Sequence, residues 1–407
     1  MTYMTKKNPD EEGGSRFGSS LHSLISLALL IVVPTQFAYT LLFNVLPKDA
    51  RLVIAGIVLG TYLIIALTSF LSRFDNWQIP LLIAMIIQPV CWAIPFSVDQ
   101  SVFDLRIVLR ETLPLVATLA ILSFPDAMPI KTLRTIAIIG LPVATIMALS
   151  GEPYIRNDIY RLYVFTGGEE GLHATAFFIF GNIIIVDQVR RHALIPQVIG
   201  WGLIALGIAL LWSYKVRTTE LMLMVYYLGT FFQQYKSSPI VRSFFYFCCF
   251  LIVLGIFAFF LTTETNIGSL GSGRIGAYIH RFDMLANREV QVFLFGSGPG
   301  TDLFLSVGWM DKLRDSHNDF IHILVERGII GLLGVFSFIV AVLIRVVGTG
   351  RAIIYAIVVG SIVSNALLSR PANLTYLIWA ISIPLYFNFL TGSDETKRNT
   401  SVLQNEA

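Results

Sequence analysis

The side chains best suited to chemistry sit at the mouth of a hydrophobic segment, in the run Arg314-Asp315-Ser316-His317-Asn318-Asp319. This run closes a polar stretch over 263–319, the longest soluble segment between apolar ones, and Gly328-Ile-Ile-Gly331 follows it. Ser316 can cap the helix that begins here, and Asp319, three residues on, comes close to a capping-box pattern. That spacing puts His317 and Asn318 in the first helical turn. Unpaired N–H groups and the positive end of the helix dipole favour a neutral imidazole there. A neutral His in a water-facing crevice is suited to accept a proton from a hydroxyl. The same helix start favours a nearby phosphate. The plainer reading is that His317 is a polar residue at a helix start.

Arginine is the second signal. Arg217 lies in the tight hinge Tyr214–Arg217 between two apolar segments, and Arg106 and Arg110 are four apart, on one face of a helix. Arg156 and Arg161 fall in a loop over 150–171, Arg274, Arg281, Arg288 and Arg314 in the longer loop, and Arg370 at the last turn. A guanidinium makes bidentate contacts to phosphate, so such a cluster suits a diphosphate headgroup. Any single one of them can instead snorkel to lipid phosphates. For Arg217 the functional reading is preferred, because a tight hinge between spans offers few reasons to keep a charge.

Other chemistries fit less well. His317 and His322 are five apart and do not share a helical face as a zinc motif requires. Asp302, Asp311, Asp315 and Asp319 lack the spacing of a calcium loop. The run Gly296-Ser-Gly298-Pro-Gly300 precedes no Lys-Ser/Thr and follows no βα pattern, so it reads as a tight turn, although its backbone N–H groups could approach a phosphate. No Ser-His-Asp arrangement is legible. The sequence calls for no metal and no cofactor. Cys91, Cys248 and Cys249 lie in apolar stretches and read as buried helix residues.

The elements that must hold these residues follow from composition. The chain has 407 residues, 55% hydrophobic and 14% charged, with a mean hydropathy of +0.72. A soluble domain carries about 25% charged residues. The apolar excess therefore predicts an all-α polytopic membrane protein. Net charge, +3, says little about partners. Expected spans are 24–46, 52–72, 78–97, 105–124, 133–149, 172–188, 196–213, 218–235, 243–262, 320–344, 352–368 and 374–391, which makes about twelve transmembrane helices. Met1–Ser20 is polar, and no small-residue cleavage site follows, so the first apolar segment reads as a retained helix. Lys and Arg in the short connections put both termini in the cytoplasm. The organisation is then a tail over 1–20, helices with one medium outer loop (150–171) over 21–262, a large outer loop over 263–319, three helices over 320–391 and a tail over 392–407.

His317-Asn318, nine residues, then Gly328-x-x-Gly331 resembles the signature of the O-antigen ligase and Wzy-type polymerase superfamily. The setting, a long outer loop entering a membrane helix, is similar too. So are Gly296-Ser-Gly298-Pro-Gly300, Ser272-Gly273-Arg274 and the placing of Arg217 at a helix start. The resemblance in motif covers residues 214–331; elsewhere the hydropathy profile alone agrees.

It implies a metal-independent, inverting membrane glycosyltransferase of GT-C type in the bacterial inner membrane, with its active site and both loops on the periplasmic side. The donor would be a glycan on undecaprenyl diphosphate. Arg217 and Arg274 would hold the diphosphate, and His317 would activate the acceptor hydroxyl. Arg106, Arg110, Arg156, Arg288, Arg314, Asn318 and Arg370 would line the substrate. The acceptor would be another lipid-linked repeat (a polymerase) or lipid A–core (a ligase). Arg156, ten residues, then Gly167 is similar to a loop pattern of polymerases; Arg288 with nine residues before Gly298 is one short. Polymerase is preferred and ligase stays open. A chain-length regulator is a candidate partner beside membrane lipid; nucleic acid is not.

The rival class is a polysaccharide transporter or flippase, which places charge near the bilayer midplane, often in inverted repeats. Here the expected spans are poor in mid-helix charge and the suspicious residues gather at one face. A scaffolding membrane protein is a third reading.

Overall fold

Long apolar runs become helices, because in hydrocarbon each backbone N–H and C=O must find its partner within its own segment. The computed structural model describes residues 9–72, 74–99, 105–156, 159–166, 171–234, 278, 281–283, 285–298, 301–302, 304–306, 312–314, 318–364 and 371–405. In chain order the helices are α1 (Pro9–Leu41), α2 (Lys48–Ser72), α3 (Gln78–Asp99), α4 (Leu105–Ser123) and α5 (Ile130–Ser150). Then come α6 (Leu172–Arg191), α7 (Gln197–Tyr214), α8 (Arg217–Gln234), the short α9 (Val290–Phe295), α10 (Asp319–Arg345), α11 (Thr349–Val363) and α12 (Pro371–Asn405). Two antiparallel hairpins sit in the two long loops: β1 (Tyr154–Arg156) with β2 (Ile159–Arg161), and β3 (Phe304–Ser306) with β4 (Lys312–Arg314).

Among the described residues, seven helical stretches are long and apolar enough to cross a membrane: Ser20–Leu41, Lys48–Ser72, Ile130–Ser150, Leu172–Arg191, Gln197–Tyr214, Asp319–Arg345 and Leu374–Thr391. A helical membrane protein is what the composition predicts. The expected spans 78–97 and 105–124 fall on α3 and α4, and 352–368 begins in α11, with 365–368 outside the described residues; the described apolar stretches there are the shorter Gln78–Gln88, Thr112–Ser123 and Thr349–Val363. The expected span 218–235 is helical as α8 but less apolar, and 243–262 lies outside the described residues. Helix α1 runs back to Pro9 and α12 on to Asn405, so the described parts of both expected tails are helical.

The chain divides into two units. One comprises 1–73, 120–213 and 378–407. Its centre is α6, 89% buried over its span, whereas α2 is 28% buried and turns most of its surface outward. Gly140 of α5 admits the Asn182 side chain of α6, and Gly207 of α7 admits Ile183. Small residues let helices approach where lipid supplies no hydrophobic drive. The buried Trp379 indole N–H donates to the Tyr62 hydroxyl (3.1 Å), which donates to Gln36 Oε1 (3.1 Å), tying α12, α2 and α1.

The other unit comprises 74–119 and 214–377. Within it α3 and α10 run antiparallel: Gly334 lies against Ile87 and Ala84, and Arg345 at the far end of α10 sits 5.7 Å over the Trp77 ring, just before α3 begins. Helices α8 and α11 pack along each other. Gly229, late in α8, meets Ala352, early in α11, so this pair is antiparallel as well. The start of α8 is therefore level with the end of α11.

Candidate functional site

That pairing brings two of the expected residues to one end of the second unit. Lys215 takes a left-handed conformation (φ 53°) and turns the chain out of α7. The carbonyl of the buried Val216 accepts from the Thr219 N–H (3.1 Å) and hydroxyl (2.8 Å). This starts α8 with Thr218 and Thr219 buried. Arg217 is exposed, and among the described residues no side chain pairs with its guanidinium. At the other end of α11, Asn318 Nδ2 donates to the Ile362 carbonyl (2.8 Å), one residue before that helix ends. Arg217 and Asn318 thus lie at the same level of α11.

The cap of α10 differs from the sequence expectation. Asn318, not Ser316, caps it: Oδ1 accepts from Phe320 N–H (3.0 Å) and Ile321 N–H (3.1 Å). Asn318 has extended φ/ψ (−148°, 113°), and its carbonyl accepts the first helical bond, from His322 N–H (2.9 Å). The first turn therefore begins at Asp319, whose negative charge suits the dipole. The Asn318 amide caps with its oxygen and donates to a neighbouring helix with its nitrogen. His317, Arg274 and Arg370 lie outside the described residues. Of Arg106 and Arg110 (first turns of α4), Arg156 (end of β1, in the other unit) and Arg314 (end of β4, opposite Phe304), the backbone alone is described.

Beneath the cap lies a charged cluster that sequence reading did not single out. Arg281, Asp302, His322 and Glu326 are 1%, 1%, 7% and 2% exposed. Arg281 donates from Nε to Asp302 Oδ1 and from Nη2 to the Asp302 carbonyl. Asp302 Oδ2 is 3.0 Å from His322 Nδ1, and Glu326 Oε2 is 3.3 Å from His322 Nε2. Glu326 Oε1 also accepts from the Asp302 N–H (3.5 Å). Both nitrogens of the ring face carboxylates, and only the Nδ1 contact with Asp302 is a hydrogen bond. His322 is therefore occupied within the protein. A sequence signal existed: Glu326-Arg327 is a charged pair inside an apolar helix, and His322 sits four residues before Glu326 on its face. The partners Arg281 and Asp302 could not be read from it.

The Gly-x-x-Gly pair has a conformational reason. Gly328 adopts φ 64°, ψ −166° and breaks α10, a region open essentially to glycine. A Cβ there would stand 2.3 Å from the Leu294 carbonyl oxygen of α9. At Gly331 a Cβ would meet the Arg327 side chain at 2.2 Å, so this glycine makes room for that buried arginine. In an unbroken helix the carbonyls of Val325 and Glu326 would accept from residues 329 and 330. Here Ser297 N–H donates to Val325 O (3.0 Å) and Gly298 N–H to Glu326 O (3.0 Å). The Gly296-Ser-Gly298 run, expected as a plain turn, is thus a strap laid on the broken helix. Gly296 (φ 80°) and Gly298 (φ 95°) supply its left-handed positions. Arg288 Nη1 donates to Ser297 Oγ at the outer edge of this strap, and partial burial pulls its pKa below the ordinary arginine value. Leu285 packs with Ile321 and Val325, and Tyr278 covers them.

No protein-family model matches the chain, and no curated protein is significantly similar to it.

Proposed function

We propose that the chain is an inner-membrane glycosyltransferase of the O-antigen ligase and polymerase superfamily. About twelve helices span the membrane with both termini cytoplasmic, and loops 150–171 and 263–319 face the periplasm. A glycan passes from undecaprenyl diphosphate to an acceptor sugar hydroxyl without metal. Arg217 and Arg274 neutralise the diphosphate as it leaves. His317 takes the proton of the acceptor, which attacks from the opposite face and inverts the anomeric centre. Polymerase is preferred over ligase.

The observation that supports this reading is that two motif positions lie level with one end of α11: an exposed Arg217 with no side-chain partner among the described residues, and the Asn318 cap, one peptide bond from His317. A phosphate needs a fork no protein carboxylate has already taken. A transporter also uses broken helices. The break at Gly328, however, is filled by Ser297 and Gly298 amides, which leaves its carbonyls little capacity for a passing substrate.

The test is a deletion strain examined for surface glycan and lipid-linked intermediates on one gel. A single repeat on lipid A–core identifies a polymerase; long chains stranded on undecaprenyl diphosphate with bare core identify a ligase. Unchanged glycan in both fractions overturns the proposal. His317→Ala is expected to reproduce the deletion at normal membrane abundance. Arg217→Lys is expected to be impaired, because a point charge does not replace a bidentate fork.

A further inference from the structure

We propose that the end of the first unit where α5 and α7 begin holds a site for the phosphate of an anionic phospholipid, with Arg134 as its cation and the turn 193–197 as its wall. It belongs to the first unit, whereas Arg217 and Asn318 belong to the second.

The wall is set by how α6 stops. His192 N–H donates to the Gln188 carbonyl (3.1 Å) and Leu194 N–H to the Val189 carbonyl (3.0 Å). Ala193 between them takes φ 55°, a left-handed position that a residue with a Cβ rarely adopts. Gln197 locks the turn from its far side. Its Oε1 accepts from Arg190 Nη1 (2.7 Å) and its Nε2 donates to the Arg190 carbonyl (3.2 Å). Residues 193–197 so held line an open cavity of about 530 Å³, and Arg134, early in α5, lines it as well. A wall already fixed loses little entropy when a ligand arrives.

The cavity is charged for an anion. Arg134 is exposed, and among the described residues no side chain pairs with its guanidinium. The described carboxylates nearest to it and to the turn in the chain are engaged elsewhere: Asp126 with His22 (3.2 Å), Asp187 with Arg190 and Arg191. Ile195 and Gln197, both on the wall, have backbone N–H groups with no acceptor among the described residues. Lys131, one turn before Arg134, is exposed too and adds to the positive field. A guanidinium fork and free backbone N–H groups are the donors that phosphate oxygens take.

The apolar surroundings assign that phosphate to a lipid. Inward from the cavity α5 exposes Ile138 and Ile139, and α7 exposes Val198, Ile199 and Trp201. The two helices run the same way, because both begin at the cavity and further in a Cβ on Gly207 of α7 would stand 3.1 Å from Leu141 Cδ1 of α5. A headgroup in the cavity therefore has apolar helix surface beside it for its acyl chains. On a flat surface an exposed arginine only reaches for bulk headgroups; a basic pocket between membrane helices holds a particular one. The orientation proposed above puts this pocket in the cytoplasmic leaflet.

The experiment uses the full-length protein purified in detergent, as wild type, Arg134→Gln, Arg134→Lys and Lys48→Gln. Lys48, exposed at the opposite end of the same unit, is the control. Native mass spectrometry counts bound dioleoyl-phosphatidylglycerol, dioleoyl-phosphatidylcholine and inorganic phosphate as each is titrated. Wild type is expected to hold one phosphatidylglycerol in preference to phosphatidylcholine. Arg134→Gln should weaken that binding about tenfold, and Arg134→Lys by less, because the charge stays while the fork is lost. Lys48→Gln should bind as wild type does. Equal binding by wild type and Arg134→Gln, or an equal loss in Lys48→Gln, overturns the proposal. Phosphate binding that depends on Arg134, with phosphatidylglycerol binding that does not, would make this a free-anion site and overturn the lipid assignment. A photoreactive phosphatidylglycerol in nanodiscs of the wild-type protein carries the test should Arg134→Gln not reach the membrane. Labelling of peptides covering 131–139 and 193–201 is the expected result, and labelling confined to other peptides overturns the site.

Discussion

Two buried charge clusters in this protein are built in opposite ways. On α6 the fully buried Asp187 is met by Arg190 Nη2 (2.5 Å) and Arg191 Nε (2.6 Å), three and four residues on. Arg190 also donates to Gln197 Oε1 (2.7 Å) and lies 4.1 Å over the Trp201 ring, with Gly200 leaving room for its stem. All of it falls within fifteen residues, from 187 to 201. The cluster beneath the α10 cap draws Arg281 and Asp302 from the polar loop and His322 and Glu326 from α10, a stretch of chain from 281 to 326. The first cluster needs one helix and the turn into the next; the second forms when a loop has found its helix. The first ends a helix, where cations suit the dipole. The second ties a loop to the first turns of a helix.

The largest effect is expected where a shared carboxylate is removed. Asp302→Ala strands a guanidinium and an imidazole in a buried site and should cost about 3–5 kcal/mol. Asp187→Ala should cost about 1–3 kcal/mol, because the Arg190 and Arg191 side chains, 9% and 15% exposed, can turn toward water. Denaturant unfolding of the full chain in detergent compares the two; equal losses would erase the distinction. Gly328→Ala comes next, at about 1–3 kcal/mol for the strained backbone alone, with the clash on Leu294 in addition. A thermal midpoint equal to wild type would mean that α10 can close into one continuous helix and release the strap.

Asn318→Ala should cost about 1 kcal/mol as a lost N-cap and also frees the Ile362 carbonyl at the end of α11. Faster amide exchange at Phe320 and Ile321 is the direct sign. The smallest effect belongs to His192, which follows the α6 cluster and stacks on Phe387 with ring centroids 4.4 Å apart. Burial, and then the neighbouring Arg191, lower its pKa below the ordinary 6.5. The native state thus resists a proton that the unfolded state accepts. Stability is complete above about 6.5 and falls as pH drops below it. His192→Phe should flatten that acid-side slope, and a slope identical to wild type would show that the ring is not responsible.

How far the sequence reaches follows the same division. Helices and membrane-length spans were legible, because apolar runs and a mean hydropathy of +0.72 act locally along each segment. The helix start before α10 was legible to within two residues, although the choice of Asn318 over Ser316 turned on Ile362, forty-four residues away. The hinge at Arg217 was legible too, since a polar break between two apolar runs has few other meanings.

The residue types at the candidate site were therefore determined by the sequence alone, as was the class of structure that holds them. Tertiary structure decided which of the many arginines is engaged and which is open. Arg281 is held by Asp302, whereas Arg217 at the start of α8 has no side-chain partner among the described residues. It also decided that His322 and Glu326 meet Asp302, and that Gly328 breaks its helix to receive Ser297 and Gly298. The reason is physical. Periodicity and capping are written within a few residues of one another. A buried ion pair between a loop and a helix is selected by the free energy of the whole folded unit, which no local window contains.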